Sequence, residues 1–317
     1  NFSIGFYEKL LPGAVTKKGV LRIPNENFKL EKLKDNALKY DYLDTQKLQN
    51  ISKNFKNIEG YFYENAAIAE PLPICKKLLE GCDIYIKDIK KLDYNNGLYE
   101  IGEIKTKNII LAQGASNPLV NLPYMKILPV FGLRIDVKTT TRIPFNIHKS
   151  ISISANKHDG TVAIGATHEK HDVSQFECST TCDKCIFYID TEEEQTRKLL
   201  SQAEELINLE NTEVVKTYKG ARATIKSFFP AIGKIINFES SVKKYPSIKK
   251  GARVSPDLLE YYPNLYIINA LGSRGFVFGP YLAKLLSENI MHETPIPDEI
   301  SIQRLFYKMA REKQNQM

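Results

Sequence analysis

The sequence predicts a mixed fold, in which strand–turn–helix units of the parallel α/β type flank an antiparallel middle of the α+β type. One observation is the apolar run 265–268, which leads through Gly272 and Gly275 into a helical pattern. A second is the apolar run 109–112, which leads into another glycine turn. The third is a series of hairpin signals between about 120 and 260, typical of an antiparallel sheet.

Composition limits the class of protein. The chain has 317 residues, 43% of them apolar and 26% charged, enough for one large or two medium domains. No apolar stretch approaches the roughly 18–20 residues of a membrane span, and no signal peptide is recognisable, so we expect a cytoplasmic protein without a membrane segment. The net charge of +7 permits an acidic partner, although charge alone favours a solvated lysine-rich surface.

The first third of the chain predicts short elements. In order, they are a helix near 2–10, a strand at 19–24, a helix within 68–80, a strand at 83–87 and a hairpin around Asn95-Asn96-Gly97. Pro73 near its start and Gly81 just past its end bound the second helix. The strand at 83–87 rests on alternation of apolar and polar residues, and the hairpin rests on the Asn-Gly turn signal.

The rest of the chain predicts longer elements. In order, they are strands at 109–112 and 130–138, a hairpin of 151–154 with 161–164, a helix from Thr191 to about Leu209, a strand at 265–268 and a helix after Gly275. Thr191 and Glu194 form a capping box, which marks a helix start. Pro280 is placed in the first turn of the last of these helices, where proline is tolerated.

The turn Gly272-Ser273-Arg274-Gly275-Phe276 is the strongest candidate for binding. Its glycines let the backbone approach a ligand closely, and the helix start presents unpaired N–H groups. Arg274 adds a positive charge, so the turn suits a phosphate, a flavin ring edge or a carboxylate. Taken alone, a tight turn with a solvated arginine remains the simpler interpretation.

Arg222 is the second candidate. It follows Gly220, and an arginine at a glycine turn near apolar aromatic residues can bind a carboxylate through two hydrogen bonds. A surface arginine that leads into a proline-ended loop explains the same pattern equally well.

Four motifs occur in a fixed order: I-I-L-A-x-G at 109–114, G-x-R at 220–222, F-P-A-I-G at 229–233 and L-G-S-R-G-F at 271–276. This set resembles the D-amino-acid-oxidase-like flavoprotein superfamily. The last motif, with S-I-Q-R-L-F at 301–306, looks most like the oxidoreductase domain of the MnmC family, which modifies the wobble uridine of tRNA. The resemblance implies an incomplete Rossmann-like FAD-binding domain interleaved with an antiparallel-sheet substrate domain.

The resemblance also implies a reaction. In such enzymes FAD oxidises the C–N bond of the carboxymethylaminomethyl group on the wobble uridine of tRNA, leaving aminomethyluridine and glyoxylate. A methyltransferase domain, normally fused in the family, then methylates the amine. The substrate group is an N-substituted glycine, so Arg222 is expected to act in catalysis by holding its carboxylate. The anticodon region of tRNA is the expected partner.

Further site residues follow from the resemblance alone. Those expected at the cofactor are Ala112, Gly114, Gly272, Ser273, Arg274, Gly275 and Phe276. Those expected at the substrate, beside Arg222, are Gly132, Gly165 and Thr167.

The chain departs from the family pattern in two places. Ser227 stands where the family usually has an acidic residue, and no G-x-G-x-x-G occurs anywhere in the sequence. That motif binds the ADP half of FAD. We therefore expect that Asn1 lies downstream of the first βαβ unit, and whether this chain binds FAD without that unit stays open.

The resemblance suggests four segments: 1–60 in the substrate or cap region, 61–118 in the FAD-binding domain, 119–260 as the antiparallel substrate domain, and 261–317 as a second FAD-binding segment with a basic C-terminal helix. Arg304, Lys308, Arg311 and Lys313 of that helix could form a rim for RNA, although a solvated amphipathic helix is an equally good explanation.

Three of the five cysteines, Cys178, Cys182 and Cys185, are closely spaced. We expect no metal there; a structural zinc with His168 or His171 is the less favoured alternative to three free thiols. For Cys75 and Cys82, burial is the preferred interpretation.

Two other functions stay open at this point. One is a glycine or D-amino-acid type of oxidase on the same fold, which predicts a small closed pocket and no affinity for RNA. The other is a fragment that holds no cofactor and has no activity.

Overall fold

The computed structural model describes residues 2–25, 39–116, 119–170, 191–227 and 229–314. The helices are α1 (Phe2–Leu10), α2 (Thr45–Ile51), α3 (Pro71–Leu78), α4 (Glu192–Glu204), α5 (Phe238–Lys244), α6 (Gly275–His292) and α7 (Gln303–Gln314). The strands are β1 (Val15–Thr16), β2 (Val20–Arg22), β3 (Asp41–Leu43), β4 (Gly60–Tyr63), β5 (Ile68–Ala69), β6 (Asp93–Asn95), β7 (Leu98–Ile101), β8 (Ile104–Thr106), β9 (Ile109–Leu111), β10 (Leu128–Lys138), β11 (Asn146–His148), β12 (Ser152–Ile153), β13 (Thr161–Gly165), β14 (Glu169–Lys170), β15 (Glu213–Thr224), β16 (Ala231–Ile236) and β17 (Tyr261–Asn269). The expected mixed fold is confirmed.

A large sheet of nine strands forms the middle of the molecule. Its order is β14-β10-β13-β12-β11-β2-β4-β3, and β15 pairs with β10 along the whole length of that strand. The pairs are antiparallel except for β11 with β2. The predicted hairpin of β12 and β13 is present. Strand β10 is therefore the central element, and its side chains alternate between the two faces of the sheet.

One face of β10 is apolar and covered by a helix. Leu133, Ile135 and Val137 are buried and pack in one cluster with Leu199 and Ala203 of α4. The capping box at the start of α4 is confirmed, but the helix ends at Glu204, five residues before the predicted end. The opposite face of β10 carries Gly132, Arg134 and Asp136, and we call it the open face.

A small sheet in the order β16-β17-β9 forms the second layer of the fold. Strand β17 runs parallel to β9 and antiparallel to β16. Leu111, Ile267 and Phe306 belong to its apolar cluster, which α7 covers. Because β9 and β17 are parallel, the glycine turns that follow them lie at the same edge of the small sheet, as in other parallel α/β units.

Sheet membership differs from the expected segments at all three of their boundaries. Strand β16 lies within 119–260, the expected substrate segment, but it pairs with β17 in the small sheet. The segment 119–127 also packs on the small sheet, since Leu122 and Met125 are in its cluster. Residues 61–63 of β4 lie in the large sheet rather than with the FAD-binding segment. These boundaries differ because pairing between distant strands does not appear in local sequence.

The placement of Pro280 in a first helical turn is wrong. Helix α6 begins at Gly275, so Pro280 lies inside it and provides no N–H to the carbonyl of Phe276 one turn earlier. The hydroxyl of Tyr7 donates to that carbonyl at 2.9 Å, and Ser3 Oγ donates to the carbonyl of Val277 at 2.6 Å. Helix α1 thus supplies side-chain donors at the point where proline interrupts the helical ladder.

Two local expectations in the segment 71–91 are also wrong. Residues 83–87 form no strand, and Ile84, Tyr85 and Ile86 are exposed. A strand needs a partner, and the described part of the chain pairs nothing with this segment. Cys75 and Cys82 are exposed rather than buried: in α3 the core-facing residue is Ile74, and Cys82 lies beyond the end of that helix. The hairpin at Asn96 and Gly97 is confirmed, with positive φ at both residues.

Across the described ranges, no helix combines the length and the apolar character that crossing a membrane requires. The same ranges contain no group of three or more potential metal ligands. Cys178, Cys182 and Cys185 lie outside the described residues.

Candidate active site

The two glycine turns of the small sheet are held together by a buried asparagine. Asn269 ends β17, and its Nδ2 donates to the carbonyl of Gly114 at 2.9 Å. Its Oδ1 accepts from the N–H of Ala270 at 2.7 Å. Gly114 and Gly272 both have a positive φ, near +60°, which residues other than glycine rarely adopt. One side chain therefore fixes both turns against each other.

The turn 272–276 ends in the start of α6. Gly272–Arg274 form one short 3₁₀ turn, and Arg274 provides no side-chain cap to the helix that follows. The guanidinium of Arg274 lies 5.1 Å from the ring centroid of Phe278, and Ser273 and Phe276 are exposed. First-turn N–H groups of an uncapped helix start attract anionic or electron-rich atoms.

This turn meets the large sheet beside Arg222. A Cβ added at Gly272 would lie 3.3 Å from Cγ2 of Thr224, the last residue of β15. The hydroxyl of Thr224 donates to the carbonyl of Leu128 at 2.6 Å, which fixes that end of β15 to β10. Arg222 is two residues earlier on β15, so its side chain lies on the same face of the sheet as that of Thr224.

The guanidinium of Arg222 lies across the backbone of β10. Its Nη1 donates to the carbonyl of Thr167 at 3.3 Å. A Cβ added at Gly132 would come closest to the backbone carbonyl oxygen of Thr167, and would lie 2.6 Å from Nη1 and 2.9 Å from Nη2 of Arg222. Real Cβ atoms do not approach other atoms that closely, so glycine at position 132 leaves the space that the Thr167 carbonyl and the guanidinium occupy.

Thr167 connects Arg222 to the covered face of the sheet. Its hydroxyl accepts from the N–H of Leu133 at 2.8 Å and donates to Oε1 of Gln195 at 2.8 Å. Gln195 lies in the first turn of α4 and is almost completely buried. Gln195 was not among the predicted site residues, since a glutamine one position after a capping box is too unspecific a signal to indicate a site.

A cavity of about 490 Å³ opens on the open face, between β10, β15 and the start of α3. Its polar lining includes Glu70, Arg134, Asp136, Lys157, Lys219 and Arg222. Arg134 Nη2 lies 3.2 Å from Asp136 Oδ1, and Lys157 Nζ lies 3.2 Å from Asp136 Oδ2. This cluster could not be predicted from local sequence, because four separate strands and loops contribute to it.

Only some of the predicted site residues lie together. Gly132, Thr167 and Arg222 are in contact with one another, and Gly272 is next to their end of the sheet. Gly165 lies beneath a different arginine, since a Cβ there would be 2.8 Å from Cγ of Arg134. Ala112 is exposed directly after β9.

Arg304, one of the residues that could form a rim for RNA, makes hydrogen bonds within the protein. It donates to the carbonyls of Ser301 and Phe229 and to the hydroxyl of Ser227. Burial lowers the pKa of its guanidinium. Arg304 therefore holds the loop after β15 against α7, and Ser227 at the expected acidic position is one of its acceptors.

The fold and this arrangement agree with the comparisons to known proteins. The family model described as FAD dependent oxidoreductase (DAO) matches residues 6–289. The chain belongs to this family, and its cofactor is FAD. The family assignment covers both sheets and both glycine turns.

Solved structures of amine-oxidising flavoenzymes share the fold. Glycine oxidase from Bacillus cereus ATCC 14579 is 15% identical with a TM-score of 0.69, over 92% of this chain and 77% of that chain. Iminodiacetate oxidase (IdaA) from Chelativorans sp. BNC1 is 16% identical with a TM-score of 0.65, over 94% of this chain and 80% of that chain. At these identities, the likeness shows the fold alone.

Curated relatives match over a shorter stretch. The tRNA 5-methylaminomethyl-2-thiouridine biosynthesis bifunctional protein MnmC of Dichelobacter nodosus (strain VCS1703A) is 29% identical over 83 residues, which is 26% of this chain and 13% of that protein. The protein of the same name from Vibrio vulnificus (strain YJ016) is 25% identical over 84 residues, 26% of this chain and 12% of that protein. The aligned stretch thus spans about an eighth of these relatives.

The residues present fit one end of FAD. The paired turns at Gly114 and Gly272 and the uncapped start of α6 offer backbone N–H groups, and a Cβ at Gly114 or Gly275 would meet no atom within 4 Å. Backbone that is open in this way suits the isoalloxazine ring of FAD and the ribityl chain attached to it. The G-x-G-x-x-G motif for the pyrophosphate is not in the sequence.

Proposed function

We propose that this protein oxidises the C–N bond of an amine that carries a carboxymethyl group, and that its substrate is the carboxymethylaminomethyl group on the wobble uridine of tRNA. Removal of the hydride leaves an imine of the substrate, and water hydrolyses it to aminomethyluridine and glyoxylate. The observation that carries the proposal is the position of Arg222, held across Gly132 at the mouth of a cavity and beside the turn 272–276.

In this proposal Arg222 binds the substrate carboxylate. A guanidinium forms two parallel hydrogen bonds with a carboxylate, which fixes both distance and orientation. The bond from Nη1 to the carbonyl of Thr167 holds Arg222 in place before substrate arrives. Because only one carbon separates the nitrogen from the carboxylate, a carboxylate held by Arg222 also fixes where the amine lies.

FAD, when bound, accepts the hydride from the carbon next to the amine nitrogen. Gly272, Ser273, Arg274, Gly275 and Phe276 are the residues that would hold the ring end, with Ala112 and Gly114 at the neighbouring turn. The N–H groups at the start of α6 favour negative charge on whatever lies against them. A neutral amine is the reactive form, and none of these residues needs to remove a proton from carbon.

The choice of tRNA as substrate rests on the partial likeness to MnmC proteins. Cationic side chains also lie nearby on the surface: Lys308 lines a cleft beside the loop after β15, and Arg311 is exposed. Both could contact RNA phosphates, in place of Arg304. On this proposal, a methyltransferase acts on the product.

The test uses the protein loaded with FAD and tRNA that carries carboxymethylaminomethyluridine. We expect release of glyoxylate, and we expect Arg222→Ala to lower kcat/KM by at least about tenfold, since charged hydrogen bonds contribute about 1.5–3 kcal/mol. Arg142→Ala, at an exposed position, is the matched control. Unchanged kinetics of the Arg222 variant would remove its proposed role.

Oxidation of free glycine or another small amino acid is the second candidate, because glycine oxidase and iminodiacetate oxidase share the fold over most of this chain. It predicts that glycine or sarcosine is consumed while the modified tRNA is not. The same assay, with both substrates measured in parallel, separates the two functions.

A further inference from the structure

The open face carries a second arginine that the proposed function does not use. Arg134 stands two residues after Gly132 on β10, so the two positions are roughly 7 Å apart on one face. Its Nε is buried, and the described part of the chain offers that N–H no acceptor. Both Arg134 and Arg222 line the same cavity.

The neighbours of Arg134 hold its guanidinium in one position. Asp136 lies at one edge, and the ring of Tyr218 lies 4.2 Å from Cζ. The ammonium of Lys216 lies 4.9 Å from the same ring. The stem of Arg134 crosses Gly165, where any Cβ would be too close. An arginine fixed in this way loses little conformational freedom when it binds a ligand.

The charges next to Arg134 include one more cation than anion. Among the described residues that line the cavity, Lys219 is already paired with Glu192, since its Nζ lies 2.6 Å from Glu192 Oε2. Arg134 and Lys157, by contrast, share the single carboxylate of Asp136. This local excess of one positive charge is separate from Arg222 and stays when Arg222 holds the substrate carboxylate.

We propose that Arg134, supported by Lys157 and Tyr218, forms a second oxyanion subsite, which binds another anionic group of the same substrate. The inference rests on the proposed function, since it assumes that Arg222 binds the carboxylate next to the amine. The second group is a phosphate of the nucleotide or a second carboxylate, and both have the oxygen geometry that a guanidinium recognises. The subsite selects dianionic substrates over those with one carboxylate.

A second cavity of about 590 Å³ continues from this subsite along the open face. Arg134, Lys157, Glu70 and Pro71 line both cavities. A substrate larger than an amino acid can therefore extend past Arg134 without leaving the open face.

The test is a calorimetric titration of the full chain with sarcosine, which has one carboxylate, and iminodiacetate, which has two. A second pair is 5-carboxymethylaminomethyluridine and its 5′-monophosphate. We expect the dianionic member of at least one pair to bind at least tenfold tighter. Arg134→Gln should remove that preference while changing the affinity for the monoanionic member less than twofold.

Each pair identifies one source of the oxyanion. If only the nucleotide pair shows tighter binding of the dianionic member, the group bound at Arg134 is a phosphate. If only sarcosine and iminodiacetate show it, the group is a second carboxylate. If neither pair shows a preference in the unaltered protein, or if Arg134→Gln weakens both members of a pair equally, the subsite is refuted. Arg134→Lys keeps the positive charge but loses the two parallel N–H donors of the guanidinium. We expect this variant to keep the melting temperature of the unaltered protein and to lose most of the preference for the dianionic probe. Arg142→Gln is the control.

Failure of the proposed function gives a different result. If no carboxylate probe binds, or if Arg222→Gln leaves their binding unchanged, the role of Arg222 is wrong. Inorganic phosphate, followed by broadening of its ³¹P resonance, then tests the subsite alone. Broadening lost in Arg134→Gln and kept in Arg222→Gln supports it, and broadening unchanged in Arg134→Gln refutes it.

Discussion

The turn 272–276 and the open face of the large sheet approach a ligand by different means. The turn offers backbone: glycines in a left-handed conformation, an uncapped helix start and exposed side chains. The open face offers side chains, Arg222 and Arg134, each laid across a glycine of a neighbouring strand. Side-chain substitutions should therefore have large effects on the open face and small effects in the turn.

The largest effect is expected for Gly132→Ala. The new Cβ would overlap both the backbone carbonyl of Thr167 and the guanidinium of Arg222, so the backbone must shift and the arginine must leave its position. Such overpacking costs about 1–3 kcal/mol of unfolding free energy. Urea denaturation measures that loss, and titration with glycolate measures the accompanying loss of carboxylate binding.

Gly220→Ala is the matched control for this prediction. Gly220 is the cross-strand partner of Gly132, and a Cβ there would meet no atom within 4 Å. We expect no loss of stability from it. Equal losses for the two variants would mean that strand flexibility, rather than the position of Arg222, explains the glycine at 132.

The glycine turns could be predicted from the sequence, whereas the side chains of the open face could not. The turns at Gly114 and Gly272 follow apolar runs directly, so strand, turn and helix can be recognised within a dozen residues. Arg134 could not be identified in this way: Asp136 is on the same strand, but Tyr218 and the Lys157 that also pairs with Asp136 come from other elements, which meet β10 only through sheet pairing. The strand predicted at 83–87 failed for the same reason, since pairing is not a local property.

The next largest effect is expected for Gln195→Leu. The change removes the acceptor of the Thr167 hydroxyl in a buried place, which costs about 1–3 kcal/mol. Because the carbonyl of Thr167 holds Arg222, carboxylate affinity should fall together with the melting temperature. Gln202→Leu, on the same helix but partly exposed, should change neither. A stable variant with normal affinity would show that the covered face does not position Arg222.

A smaller effect is expected for Tyr7→Phe. The phenol of Tyr7 supplies the donor that Pro280 cannot give to the carbonyl of Phe276, and a typical hydrogen bond contributes about 1 kcal/mol. Thermal unfolding of Tyr7→Phe should show this loss, whereas Tyr281→Phe, at an exposed ring, should not. Flavin binding should weaken in parallel if the backbone of α6 contacts the cofactor, since the start of that helix would be less firmly held.

The smallest effect is expected for Arg274→Ala. Its guanidinium rests over the ring of Phe278 at the surface, and exposed cation–π contacts contribute about 0.5–1 kcal/mol. If backbone N–H groups carry the function of the turn, the variant should retain FAD with less than about a fivefold change in Kd, and the flavin absorption maximum should shift only slightly. Fluorescence titration with FAD measures the first quantity. A loss of FAD as large as the loss of carboxylate binding in Arg222→Ala would show that the turn, like the open face, depends on a side chain. In that case the turn and the open face would bind their ligands by the same means.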